Sequence, residues 1–152
     1  MPTIEELIIT KPMKDPYMRA YINIMYTGVW LQQNVSQVLK PFDITEPQYN
    51  VLRILRGQQG SPMNLYEIQD RMIQKMSNVS RLIDKLLVKG LVERNECQDN
   101  RRRVDIVIRE AGLKLLEDIE QPLLAMLGNV SKNITEEEAR MLGDVLDKLR
   151  NE

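Results

Sequence analysis

From Val79 the chain places apolar residues at Val79, Leu82, Ile83, Leu86 and Leu87, the i, i+3, i+4, i+7, i+8 spacing of a half-buried helix. At roughly 100° per residue, Ser77, Arg81, Asp84, Lys85 and Val88 fall on the opposite side. Gly90 stands where a left-handed residue ends a helix. The period then changes. Val104, Ile106 and Ile108 alternate with Asp105, Val107 and Arg109, the pattern of a half-buried strand. Residues 91–96 can pair with that strand, which leaves residues 97–103 as a polar loop.

Upstream, residues 1–14 hold Ile4, Leu7, Ile8 and Ile9 and then Lys11-Pro12. They read as a partly ordered arm that can lie against a second subunit. Asp15-Pro16 supplies an N-cap and a first-turn proline. The helix it opens should run to about residue 40, where Pro41 ends it, a length of about 37 Å. Its apolar residues, among them Met18, Ile22, Met25, Val29, Val35 and Leu39, cover more than one stripe, so it should bury one face in its own domain and another on a partner chain. Thr45 and Gln48 form a capping box, with Tyr49, Val51, Leu52, Ile54 and Leu55 packing inward. Residues 57–62 form a loop, and Asn64 with Glu67 opens a short helix through Ile68, Met72 and Ile73. A turn at residues 74–76 leads into the helix that begins near Val79.

Beyond the hairpin, Leu113, Leu116, Ile119, Leu123 and Leu127 mark a long helix bent or interrupted near Pro122. Thr135 caps a last helix with Met141, Leu142, Val145 and Leu149 as its stripe. The order predicts a mainly α chain with a small β-hairpin wing. Its parts are an N-terminal arm and dimerisation helix (1–40), a winged helix-turn-helix (41–109) and C-terminal dimerisation helices (110–152). A polar-faced helix followed by an arginine-tipped hairpin can reach a major groove and the neighbouring minor groove of duplex DNA together.

Charge sharpens this picture. The whole chain carries only −1, yet residues 71–103 hold nine basic and four acidic side chains, a net +5. Composition alone leaves a solvated surface and a polyanion-facing surface equally open; the helix and hairpin favour the second. Three consecutive arginines, Arg101, Arg102 and Arg103, make a good phosphate contact in any reading. Histidine is absent and cysteine occurs once, which excludes histidine acid–base chemistry and argues against a zinc site. With no glycine-rich phosphate loop either, no enzyme, metal or cofactor is expected. No apolar run approaches the ~20 residues of a membrane span, and the N-terminus lacks a signal-peptide pattern. A cytoplasmic protein is the expectation.

The run from Val79 to Arg94 (Val-Ser-Arg-Leu-Ile-Asp-Lys-Leu-Leu-Val-Lys-Gly-Leu-Val-Glu-Arg), followed by Asp99-Asn-Arg101 and by Val104 through Gly112, resembles the MarR family of bacterial transcription regulators. The resemblance extends over nearly the whole chain. It implies a homodimer that sets two recognition helices in successive major grooves of a pseudo-palindromic operator, with the wings in the minor groove. On that footing Ser77, Asn78, Ser80, Arg81 and Lys85 are recognition-helix contacts. Arg101, with Arg102 or Arg103, is the wing contact, and Asp99 orients Arg101. The sequence departs from the family at Ile108-Arg109-Glu-Ala-Gly112, where a threonine usually follows the strand; one helix cap is therefore in question. The single Cys97 lies in the hairpin, away from the N-terminal position of redox-sensing relatives, and reads as an incidental thiol rather than a switch.

The resemblance also implies a small aromatic effector, for which Tyr21, Tyr26, Trp30 and Tyr49 are the candidate lining; the competing reading is core and dimer packing. Asp84 could pair with Arg81 or Lys85 as helix support. The expected function is a repressor released by such an effector. The rival is a winged-helix module that meets an acidic protein and has no site-specific DNA binding.

Overall fold

The computed structural model describes residues 2–75, 78–97 and 100–151, with the backbone alone at 96, 97 and 100–103. Helix α1 (Ile4–Leu7) opens on a capping box between Thr3 and Glu6 and buries Ile4. Glu5 accepts from Arg19 at 2.8 Å, so the predicted arm is a helical turn held on the next helix. That helix, α2 (Pro16–Leu39), starts where Asp15 accepts from the Tyr17 N–H at 2.9 Å. It does not simply stop at Pro41. A 3-10 turn follows over Lys40–Phe42, and Asp43 leaves it in the left-handed region at φ 51°.

Helix α3 (Glu46–Arg56) has the expected Thr45–Gln48 capping box. Gln48 is also buried, and its Oε1 accepts the Thr45 N–H at 3.0 Å, so the cap satisfies a polar group inside the core. Val51, Leu52 and Leu55 are fully inside, whereas Tyr49 and Ile54 are half-buried. A short strand that the pattern did not predict, β1 (Met63–Asn64), pairs antiparallel with the last strand, Met63 opposite Ile106. Asn64 then caps α4 (Leu65–Arg71) by accepting the Tyr66 and Glu67 N–H groups. This helix ends sooner than its apolar pattern suggests. Met72 is already extended but buried, while Ile73 is exposed.

Helix α5 (Val79–Val88) ends as Gly90 predicts. Gly90 has φ 68°, its N–H bonds the Leu87 carbonyl at 2.9 Å, and the Leu91 N–H bonds the Leu86 carbonyl at 3.0 Å, a Schellman closure. Strands β2 (Val92–Cys97) and β3 (Asn100–Ile108) form the hairpin, and the sheet order is β1-β3-β2. The hairpin ladder runs further than the side-chain alternation predicts. Pairing continues to Cys97 opposite Asn100, with a register shift after the Glu96–Val104 pair. The backbone of residues 101–103 thus belongs to an irregular strand rather than a loop. A ladder is held by main-chain bonds and can continue where side-chain alternation has ended.

Helix α6 (Glu110–Ser131) runs through Pro122 without interruption, and α7 (Glu136–Leu149) starts on the Thr135–Glu138 box. One core joins α2 through α6 and the sheet, built from Leu39, Val51, Leu55, Ile68, Ile83, Leu86, Ile106, Leu116 and Ile119. Complete burial of each such side chain contributes about 1.5–3 kcal/mol. Helix α6 packs on α2 and α3, while α7 has no buried residue.

Candidate nucleic-acid interface

The core fixes which face of α5 meets solvent. Val79, Leu82, Ile83 and Leu86 are buried, and Ser80, Arg81, Asp84 and Lys85 are exposed on the other side. Asn78 occupies the N-cap position but makes no side-chain capping bond, and it is exposed beside Ser80. Of the predicted contacts, the structure therefore brings Asn78, Ser80, Arg81 and Lys85 together on one free face. Ser77 and Asp99 lie outside the described residues, as do the side chains of Arg101, Arg102, Arg103 and Cys97.

Three ties set the pose of α5. At its start, the Asn50 Oδ1 on α3 accepts the Ile73 N–H at 3.0 Å, anchoring the preceding turn. In its middle, Asp84 pairs with Arg94 on β2 at 3.0 Å; the expected partners were Arg81 or Lys85 on the same helix. At its end, the Lys89 Nζ lies 2.8 Å from Asp43 Oδ2 and also donates to the Asp43 carbonyl. The Lys89 ammonium, by hydrogen bond and by charge, holds the Asp43 carboxyl below its ordinary value. None of these ties was legible as a pair, because each partner lies on another element.

The junction of β3 with α6 explains the departure noted in the sequence. Arg109 is the N-cap of α6 and gives no side-chain capping bond. Its own N–H donates to the Leu91 carbonyl at 3.0 Å, and the Gly112 N–H donates to the Arg109 carbonyl at 2.9 Å. Gly112 makes that approach possible, since a Cβ there would sit 2.5 Å from the Leu91 oxygen and 2.8 Å from Ile108 Cγ1.

Two clefts border this unit. The larger, about 1190 Å³, lies between α2, the start of α3 and α5, and its lining includes Gln33, Gln37, Lys40, Gln48, Lys85 and Lys89. The smaller, about 400 Å³, is lined by Tyr49, Arg53, Ile54, Met72, Leu123 and Leu127 among others. Arg53 donates to the Tyr49 hydroxyl at 3.3 Å and stands 5.9 Å from its ring centre. The four aromatic residues expected around an effector do not converge. Tyr49 lines the smaller cleft, whereas Tyr21, Tyr26 and Trp30 are exposed along α2 and line neither. Among the described residues, no helix is long and apolar enough to cross a membrane.

A two-helix reading unit with a β-hairpin beside it, mounted on long helices, defines a winged helix-turn-helix protein. Residues 44–104 match the model of the MarR family. The HTH-type transcriptional repressor IacR of Pseudomonas putida is 25% identical over 131 residues, which cover 86% of this chain and 74% of IacR. The MarR transcription factor of Planctomyces limnophilus superposes with TM-score 0.71 at 29% identity, over 90% of this chain and 98% of that one. The S. aureus MepR–DNA complex superposes with TM-score 0.72 at 26% identity, over 86% and 94% of the two chains. The chain is thus similar to MarR-family proteins, by the family model over residues 44–104 and by these relatives over most of its length.

Proposed function

We propose that this protein is a homodimeric, sequence-specific DNA-binding transcription regulator that acts as a repressor. The observation that carries the reading is α5 itself. Its apolar side is locked into the core, while Ser80, Arg81 and Lys85 stand free in the most basic third of the chain, next to the hairpin. In this reading Ser77, Asn78, Ser80, Arg81 and Lys85 enter the major groove. Arg101, with Arg102 or Arg103, enters the minor groove, and Asp99 orients Arg101. Support comes from relatives: IacR is named a repressor, and MepR has been solved on DNA.

The unit over 41–109 reads DNA, and the helices of 1–40 and 110–152 join two copies across the exposed stripes of α2, α6 and α7. Two recognition helices must then meet grooves about 34 Å apart. A small effector held beside α5 would release the operator by changing that spacing. Tyr49, lining a cleft with Arg53, belongs to this part of the proposal; Tyr21, Tyr26 and Trp30 fit dimer packing better.

Fluorescence anisotropy on the duplex upstream of the protein's own gene and on a shuffled duplex tests the reading. Preference for the native duplex should reach about 10³-fold. Arg81→Ala should cost about 1–3 kcal/mol and relax specificity at the base it reads, and Arg101→Ala should weaken binding most where A·T-rich flanks narrow the minor groove. No binding at low salt would replace this function with a protein-interaction module.

A further inference from the structure

Glu93 and Arg94 lie on β2 at the base of the hairpin, where β3 still pairs with β1, and consecutive strand residues point to opposite faces. Arg94 reaches to α5, its Nη2 3.0 Å from Asp84 Oδ1. Glu93 reaches the other way, its Oε2 4.0 Å from the Nε of Arg109 at the start of α6. The base of the wing is thus stayed from both faces, more tightly on the side of α5. The β2–β3 ladder fixes the hairpin internally, and β1 adds pairs only at Ile106 and Asp105. Val92, Ile106 and Ile108 seat the base of the hairpin in the core beside Ile83 and Leu86 of α5, and the Asp84–Arg94 pair is the polar tie between hairpin and helix on the solvent side of that seat. Asp84 itself is conspicuous, because it puts a carboxylate between Arg81 and Lys85, on the face that would approach phosphates, where an unpaired negative charge is repelled.

We propose that Asp84 is a positioning residue. Through Arg94 it sets the angle between the wing and α5, so that major-groove and minor-groove contacts are met together. The inference rests on the DNA-reading function proposed above, but its first readout needs no DNA.

A nitroxide on Cys97, the one cysteine of the chain, reports hairpin motion in the free protein by electron paramagnetic resonance. Asp84→Asn narrows the lines, and the exchange Asp84→Arg with Arg94→Asp restores them. The melting midpoint of Asp84→Asn stays within about 3 °C of the unmodified protein, as suits an exposed ion pair. On the operator duplex, Asp84→Asn weakens binding about two- to fivefold and removes minor-groove protection from hydroxyl radicals while major-groove protection persists. Unchanged line shape in Asp84→Asn, or an exchange that fails to restore it, overturns the proposal. Tighter DNA binding by Asp84→Asn also overturns it, because Asp84 would then only withhold Arg94 from a phosphate. If the line shape responds as described but the unmodified protein prefers no duplex, the ion-pair stay stands and the DNA-reading function falls.

Discussion

Gly112 shows how one absent carbon can hold a junction together. Its Cα side faces the Leu91 carbonyl and the Ile108 side chain so closely that a methyl group would overlap both, at 2.5 and 2.8 Å. The same carbonyl accepts the Arg109 N–H, while the Gly112 N–H in the first turn of α6 donates to the Arg109 carbonyl at 2.9 Å. Gly112→Ala must therefore separate the start of α6 from the end of α5 and its turn. Overpacking of this kind costs about 1–3 kcal/mol, a fall of about 3–10 °C in melting midpoint for a chain of this size. Circular dichroism melts check it; an unchanged midpoint would show that α6 can shift at no cost. The sequence carries the glycine in plain view, but the reason for it comes from a residue twenty-one positions earlier.

Between elements, the ties are electrostatic and exposed, so solution conditions reach them directly. Asp43 ends the 3-10 turn in a left-handed conformation, and Lys89 near the end of α5 holds its carboxyl below the ordinary 3.8. A carboxyl whose pKa is lower folded than unfolded adds stability that is complete above the unfolded value. That stability is lost as pH falls through the folded one. Asp43→Asn keeps a residue that tolerates the left-handed backbone and removes the charge. The variant should denature at lower urea than the natural protein at pH 7, and the difference should shrink as pH falls below the ordinary carboxyl value of 3.8 and through the lower folded one. A difference that persists in acid would assign the effect to the backbone. At this scale the helices and the wing were legible because α5 shows an unbroken period and β3 repeats apolar residues at Val104, Ile106 and Ile108. Three features were not. Strand β1 has two residues, too few for any alternation. The hairpin ladder continues through polar positions. The Asp84–Arg94 pair joins an i to an i+10 residue, a separation that no helical or strand spacing brings together. The face bearing Arg81 and Lys85 could be read from periodicity alone, whereas the clefts could not, since three or more elements define each.

For the molecule as a whole, the unfinished surface is on the long helices. Met141, Leu142, Val145 and Leu149 of α7 are 59%, 53%, 53% and 65% exposed, and Leu124 and Leu127 of α6 are 52% and 46% exposed. Repeated exposed apolar side chains along a helix are a recurrent mark of an interface between copies. On the homodimer proposed above, Leu142→Glu should lower sedimentation to that of a monomer and abolish operator preference, whereas unchanged sedimentation would speak against an interface at α7. Helix α2 makes the arrangement more than additive. Only Leu39, its last residue, is fully buried, so the DNA-reading unit is joined to one end of a rod about 36 Å long. A tilt of about 5° about that end carries the other end through about 3 Å, given that length. Leverage of this kind runs in both directions: a displacement no larger than a methyl-sized repacking at the free end of α2 is returned at the other end as an angle.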